Sequence, residues 1–208
     1  MTRPSPSLAW PHPSTREGCG AWRESGHALA YQTSSPVMSK DLLKKLFDAC
    51  EDGDLTLVKK IVEEHNVDPS TCRGVSETTP LHRAAEGAQL DVMKYLIEDK
   101  GCDPTVKGGL FSSTPLHLAC GSGDLEVVKY LTEELHLDPN SKALRDRALH
   151  TPLHDAAMRG QLEVVMFLVE EKHCDPMARN KHGRTALDIA DRHQSVVDYL
   201  QKHGRNGK

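Results

Sequence analysis

The stretch TPLHLACGSGDLEVVKYLTEELHLDP, residues 114–139, opens on a tetrapeptide that the chain writes three times: Thr79-Pro80-Leu81-His82, Thr114-Pro115-Leu116-His117 and Thr151-Pro152-Leu153-His154. A fourth, altered copy follows as Thr185-Ala186-Leu187-Asp188. The starts lie 35, 37 and 34 residues apart, a period a little over 33. Such a period is the mark of stacked supersecondary units, and it decides how the rest of the sequence is read.

Each position in the stretch has a physical task. Threonine at an N-cap accepts a hydrogen bond from an orphan N–H of the first turn, and proline at the first helical position has the right φ and no donor to leave unpaired. Leu81, Leu116 and Leu153 then face a core, with Ala84, Ala85, Ala119, Ala156 and Ala157 allowing close helix approach. Gly53, Gly123 and Gly160 fit the position after the helix, where the chain turns through positive φ. A second apolar block follows, with Leu125, Val128, Leu131 and Leu135 at helical spacing as the expected buried stripe. The Asp-Pro steps at Asp68, Asp103, Asp138 and Asp175 are expected to end the second helices, because a residue before proline avoids the helical region. Two helices this short cannot bury their own apolar faces, and stacking like units supplies the missing cover.

These motifs resemble the ankyrin repeat family, whose pattern runs TPLHxAAxxGHLEVVKLLL. The resemblance covers roughly residues 41 to 203 and is repeated in phase. It implies an all-α fold, an α-solenoid of stacked helix-turn-helix repeats with short finger loops. It further implies a degenerate first repeat at 41–78, full repeats at 79–113, 114–150 and 151–184, and a C-terminal cap at 185–203, all within a domain spanning 39–204. In this family the motif histidine bonds its own turn and bridges to the neighbouring repeat. His82, His117 and His154 are therefore expected to be structural, together with Thr79, Thr114, Thr151, Gly123 and Gly160, and Asp188 stands where no further repeat follows. Two departures matter. "AAEGAQLDVM" puts Gly87 one place early and Ala88 where glycine belongs, so strain or a shortened helix is expected there, and each second helix carries one residue more than the family pattern.

Composition narrows the function. Hydrophobic residues make up 38% and charged residues 27% of the 208, which suits a soluble domain. A net charge of −4 and nine aromatics argue against a nucleic-acid surface. No apolar run is long enough to span a bilayer and no secretory h-region opens the chain, so a cytoplasmic or nuclear location is expected, with no membrane partner. The six cysteines form no CxxC pair and read as reduced thiols. His117 and Cys120 have a spacing that two metal ligands use, but no third ligand is near in sequence, so no metal and no cofactor is expected. No GxSxG, HExxH, P-loop or GxGxxG motif is present, and no catalytic residue is assigned. Residues 1–38 are rich in Pro, Ser and Gly and read as a disordered tail: a spacer, a translated upstream segment ending at Met38, or a partner motif carried by Trp10 and Trp22.

What remains is a surface. The resemblance implies a partner along the concave side, at outward positions of the first helices and at the fingers. Those positions are Arg83, Glu86, Leu118, Asp155, Arg159 and Arg192, the residues before the motif, His150 and Arg184, and the finger residues Phe111, Arg147 and Lys181. Their charge runs from acidic at Asp48, Glu51 and Asp52 to basic at Arg147, Arg159, Arg179 and Arg184, an arrangement suited to an acidic segment of another protein. The expected role is a monomeric, non-enzymatic adaptor, scaffold or inhibitor. The alternatives are a substrate-recruiting subunit of an enzyme complex and a nuclear regulator that uses its tail.

Overall fold

Five helical hairpins stand side by side in the computed structural model, which describes residues 39–109, 112–142 and 149–204. The tail assigned to 1–38 lies outside the described residues, as do Phe111 and Arg147. Hairpin one joins α1 (Lys40–Asp52) to α2 (Leu55–Glu64). Hairpin two joins α3 (Pro80–Glu86) to α4 (Leu90–Lys94), which runs on as π-helical turns over Tyr95–Asp99. Hairpin three joins α5 (Pro115–Ser122) to α6 (Leu125–Lys129), with π turns over Tyr130–Glu134. Hairpin four joins α7 (Pro152–Met158) to α8 (Leu162–Glu170), and the last joins α9 (Ala186–Ile189) to α10 (Gln194–Gly204). The described residues contain no β-strand, only an isolated bridge between Gly108 and Ser113 in a finger.

The first helices form one layer in sequence order, and each packs on the next more closely than the second helices do. The cause is side-chain size. Ala84, Ala85, Ala119, Ala156 and Ala157 are fully buried between neighbours, where a larger residue would hold the helices apart. Unequal spacing of the two layers bends the stack toward the first-helix side. Leu46, Leu81, Leu116 and Leu153 occupy one core position in successive units, and Leu96, Leu131, Leu168 and Leu200 occupy another. The buried arc of α6 is wider than the four-residue stripe expected of it: Val127, Val128, Tyr130 and Leu131 are buried, whereas Leu125 and Leu135 are only partly so. A second helix lies against its own first helix and against the next hairpin, so it buries two adjoining faces.

The Asp-Pro steps do not end the second helices. These stop four residues earlier at Glu64, Asp99 and Glu134, and five residues earlier at Glu170. The stop is made by a residue at positive φ two places before each aspartate: Asn66 (48°), Gly101 (65°), His136 (54°) and His173 (53°). The backbone N–H of Cys102, Leu137 and Cys174 then closes back on the carbonyl six residues earlier, at 2.9, 3.0 and 2.9 Å. Each aspartate instead begins the finger. Its carboxylate accepts from the N–H two residues on, at 2.9 Å for Ser70 and 2.8 Å for Thr105, Asn140 and Met177, over the proline at the first turn position. The π turns of α4 and α6 give the extra residue a place: an i→i−5 turn absorbs one insertion without breaking the helix.

The outer layer is tied by a recurring ladder. Lys59 lies over the Tyr95 ring, Lys94 over Tyr130 and Lys129 over Phe167, with Nζ 5.2, 5.1 and 5.9 Å from the ring centres. The Tyr130 hydroxyl donates to Glu98 at 2.9 Å. Phe167 holds the same place one unit on but has no hydroxyl, and Glu133 there takes Lys172 at 2.8 Å instead.

Candidate partner-binding face

The histidines set the first-helix face in position. In each motif the threonine N–H points at the histidine Nδ1, at 3.3, 3.4 and 3.3 Å, and the threonine hydroxyl lies 2.8 Å from the same atom. A nitrogen that accepts carries no proton, so the proton sits on Nε2. From there it is donated to the carbonyl of the residue before the next motif: His82 to Ser113 at 2.9 Å, His117 to His150 at 3.1 Å and His154 to Arg184 at 3.2 Å. Burial holds all three imidazoles below their ordinary pKa, because the charged form would lose water and have no acceptor at Nδ1. Each histidine therefore fixes the backbone of a residue on the outer rim of the next unit. In the cap, Asp188 accepts from the Thr185 N–H at 2.8 Å and from its hydroxyl at 3.0 Å, and these bonds hold its carboxyl below the usual range.

Along that face the side chains differ in how far they are already engaged. At the N-terminal end Arg83 reaches Glu51 and Glu86, each at 3.2 Å, so its charge is shared among carboxylates. Asp48 and Asp52 are exposed beside this group. The middle is neutral, with Leu118 partly buried and the Ser122 hydroxyl donating to the Ala119 carbonyl at 2.9 Å. His150 Nδ1 lies 3.3 Å from Asp155 Oδ1, the two side chains being only 17% and 16% exposed, and the His150 ring stacks on His154. These two side chains are thus engaged with each other and largely covered. His150 Nε2 is buried without a hydrogen-bond partner.

Toward the C-terminal end the cations stand open. Arg159, Lys181, Arg184 and Arg192 are exposed, and among the described residues none has an ion pair within 4.0 Å. Arg159 lies across Gly121 of the preceding unit, where a Cβ would come within 3.1 Å of its Nε. The last finger is braced from within: Asn180 Oδ1 accepts from the N–H groups of His182 and Arg184 at 2.9 and 3.0 Å, and Arg179 donates to the Gly183 carbonyl at 2.6 Å.

Burial pushes the thiols up, Cys50 and Cys102 to about 12 and Cys174 to about 11, far from a thiolate at neutral pH. Among the described residues no group of three or more His, Cys, Asp or Glu side chains is placed to hold a metal ion, and no helix is long and apolar enough to cross a membrane.

One recess was not singled out by the sequence reading. It lies between α1 and the first finger, lined by Lys40, Leu43, Lys44, Phe47, Arg73 and Val75 among others. The signal was a lone aliphatic residue, Val75, in an otherwise polar finger, CRGVSETT.

The hairpins, their period and the forward-reaching histidines together define a repeat solenoid. The family description "Ankyrin repeats (3 copies)" matches residues 46–143 and again 134–207, and the chain belongs to that family. No curated protein matches the chain at significant similarity.

Proposed function

We propose that the chain is a non-enzymatic adaptor, scaffold or inhibitor that holds another protein along the first-helix face and the fingers. Ankyrin repeats are protein–protein interaction modules, which sets the class. The observation that carries the finer reading is the contrast along the face: Arg83 engaged by two carboxylates at one end, and Arg159, Lys181, Arg184 and Arg192 without such partners at the other. An unpaired cluster of one sign favours a partner segment of the opposite sign and speeds its encounter. The module acts as a monomer on an acidic segment.

The test is the affinity of a fluorescent Glu/Ser-repeat peptide for the full chain, read by anisotropy at low and high salt. Binding weakens with salt, and Lys181→Glu with Arg184→Glu weakens it by about tenfold or more while the helical circular dichroism is unchanged. An affinity indifferent to the charge reversal rules out the basic end as the contact.

A further inference from the structure

α1 starts well before the other first helices. Aligned on the turn that ends each first helix, Phe47 stands where His82, His117 and His154 stand, and Lys45 where the motif proline does. Residues 40–44 are thus helical where the later units are not. At about 1.5 Å per residue they add a wall of about 7 Å beside the first finger. Between wall and finger lies an open groove of about 500 Å³, within the range of ligand-sized sites. Leu43 and Phe47 give it an apolar side on the helix, and Val75 faces them from the finger.

The finger holds Val75 out on a braced loop. The Gly74 N–H donates to the Thr78 carbonyl at 2.7 Å, and the Thr78 N–H and hydroxyl donate to the Val75 carbonyl at 3.3 and 2.8 Å. Arg73 adds bonds to the carbonyls of Ser70 and Cys72 at 2.6 and 2.9 Å. Gly74 lies on the Phe47 ring, where a Cβ would come within 3.2 Å. Val75 is left 87% exposed, so an apolar residue is presented on a loop braced by these bonds, which lowers the entropy lost on binding.

The rim gives the sign of the guest. Lys40 and Lys44 are exposed and have no ion pair within 4.0 Å among the described residues. Arg73 meets Glu77 only at 3.9 Å, and Asp48 is the single carboxylate lining the groove. We infer that this groove docks a protein segment carrying a bulky apolar side chain flanked by carboxylates, the apolar group between Phe47 and Val75 and the carboxylates at Lys40, Lys44 and Arg73. The inference rests on the chain being a protein-binding module, and it adds an anchor at the end opposite the basic finger.

Random dodecapeptides displayed against the full chain test it, with the enriched peptides measured by anisotropy on the full chain and on three variants. The enriched sequences pair a bulky apolar residue with neighbouring Asp or Glu. Val75→Glu, and separately Lys40→Glu with Lys44→Glu, weaken them by about tenfold or more, as loss of a central anchor does. Lys181→Glu with Arg184→Glu sorts the enriched pool, because it weakens peptides held at the basic end and not those held in the groove, a distant site. A pool lost as a whole with the Lys181/Arg184 pair and indifferent to Val75→Glu supports the basic end alone and overturns the groove. Enriched peptides without carboxylates overturn the stated guest, and no enrichment overturns the site. Unchanged thermal melts of Val75→Glu and Val75→Ser exclude misfolding as the cause of any loss.

Discussion

The first junction of the stack is stitched at one end of its hairpins only, and the third at both. At the third, His117 binds the His150 carbonyl on the finger side, and Gln161 binds the carbonyls of Gly121 and Ser122 at 3.0 and 3.1 Å on the opposite side. At the first, Phe47 takes the histidine place and forms no such bridge. The work falls to Gln89, which donates to the Glu51 carbonyl at 3.1 Å, and to Arg83 across to Glu51. The second junction is the reverse case: His82 bridges to Ser113, but Asp124 replaces the glutamine and caps its own helix at Val127. One good stitch per junction therefore keeps the units in register. Where the finger-side stitch is absent, at Phe47, the space beside it is left as a groove.

Acid should separate the junctions most sharply. His82, His117 and His154 are held below their ordinary pKa when folded, so below about pH 6.5 the unfolded chain takes up protons that the folded one refuses. Stability is then full above pH 6.5 and is lost as pH falls toward the folded values, at a slope of at most about 1.4 kcal/mol per pH unit for each histidine. Urea melts at stepped pH measure that slope, and hydrogen exchange should show the histidine-bridged junctions loosening before the first. A single substitution comes next. His117→Ala leaves the Thr114 N–H and the His150 carbonyl short of a partner and opens a void, at a cost of about 3 kcal/mol at neutral pH, and it flattens the acid slope by one proton's worth. A melt unchanged by this variant would refute the bridging role.

The smallest effect sharpens the other side of the comparison. Gly87 lies against the Glu51 carbonyl, where a Cβ would overlap that oxygen, so the glycine is needed one place early and Ala88 is left at φ 58°. An alanine in that region is strained, and Ala88→Gly should raise stability by about 1 kcal/mol, read from the denaturation midpoint. No comparable gain is available at the third junction, where Gly160 already holds the position at φ 76°.

Much of this was legible in the chain itself. Thr-Pro-Leu-His marks a helix start by cap and φ alone, and the in-phase repeats made stacking the way to bury Leu81, Leu116 and Leu153. The helix stops were not legible. Three of the four residues at positive φ are Asn66, His136 and His173, which carry no glycine signal, while the prolines that follow drew attention to the wrong bond. The face was legible as positions but not as partners. That Arg83 is held by Glu51, or that His150 and Asp155 pair, depends on side chains brought together by stacking and on rotamers. The helix beside the groove was legible, since SKDLLKKLFDAC is amphipathic and opens on Ser39, which caps it by accepting from the Leu42 N–H, but the packing of the first finger against it was not.

The motif imidazoles, His82, His117 and His154, all reach the same way, each toward the unit synthesised after it. A hairpin leaving the ribosome thus has its ring nitrogen unmet until the following loop emerges, and the chain is completed from front to back like links closed by their successors. Asp188 ends the sequence of obligations: its carboxylate is satisfied within its own turn, so nothing further along the chain is owed to it.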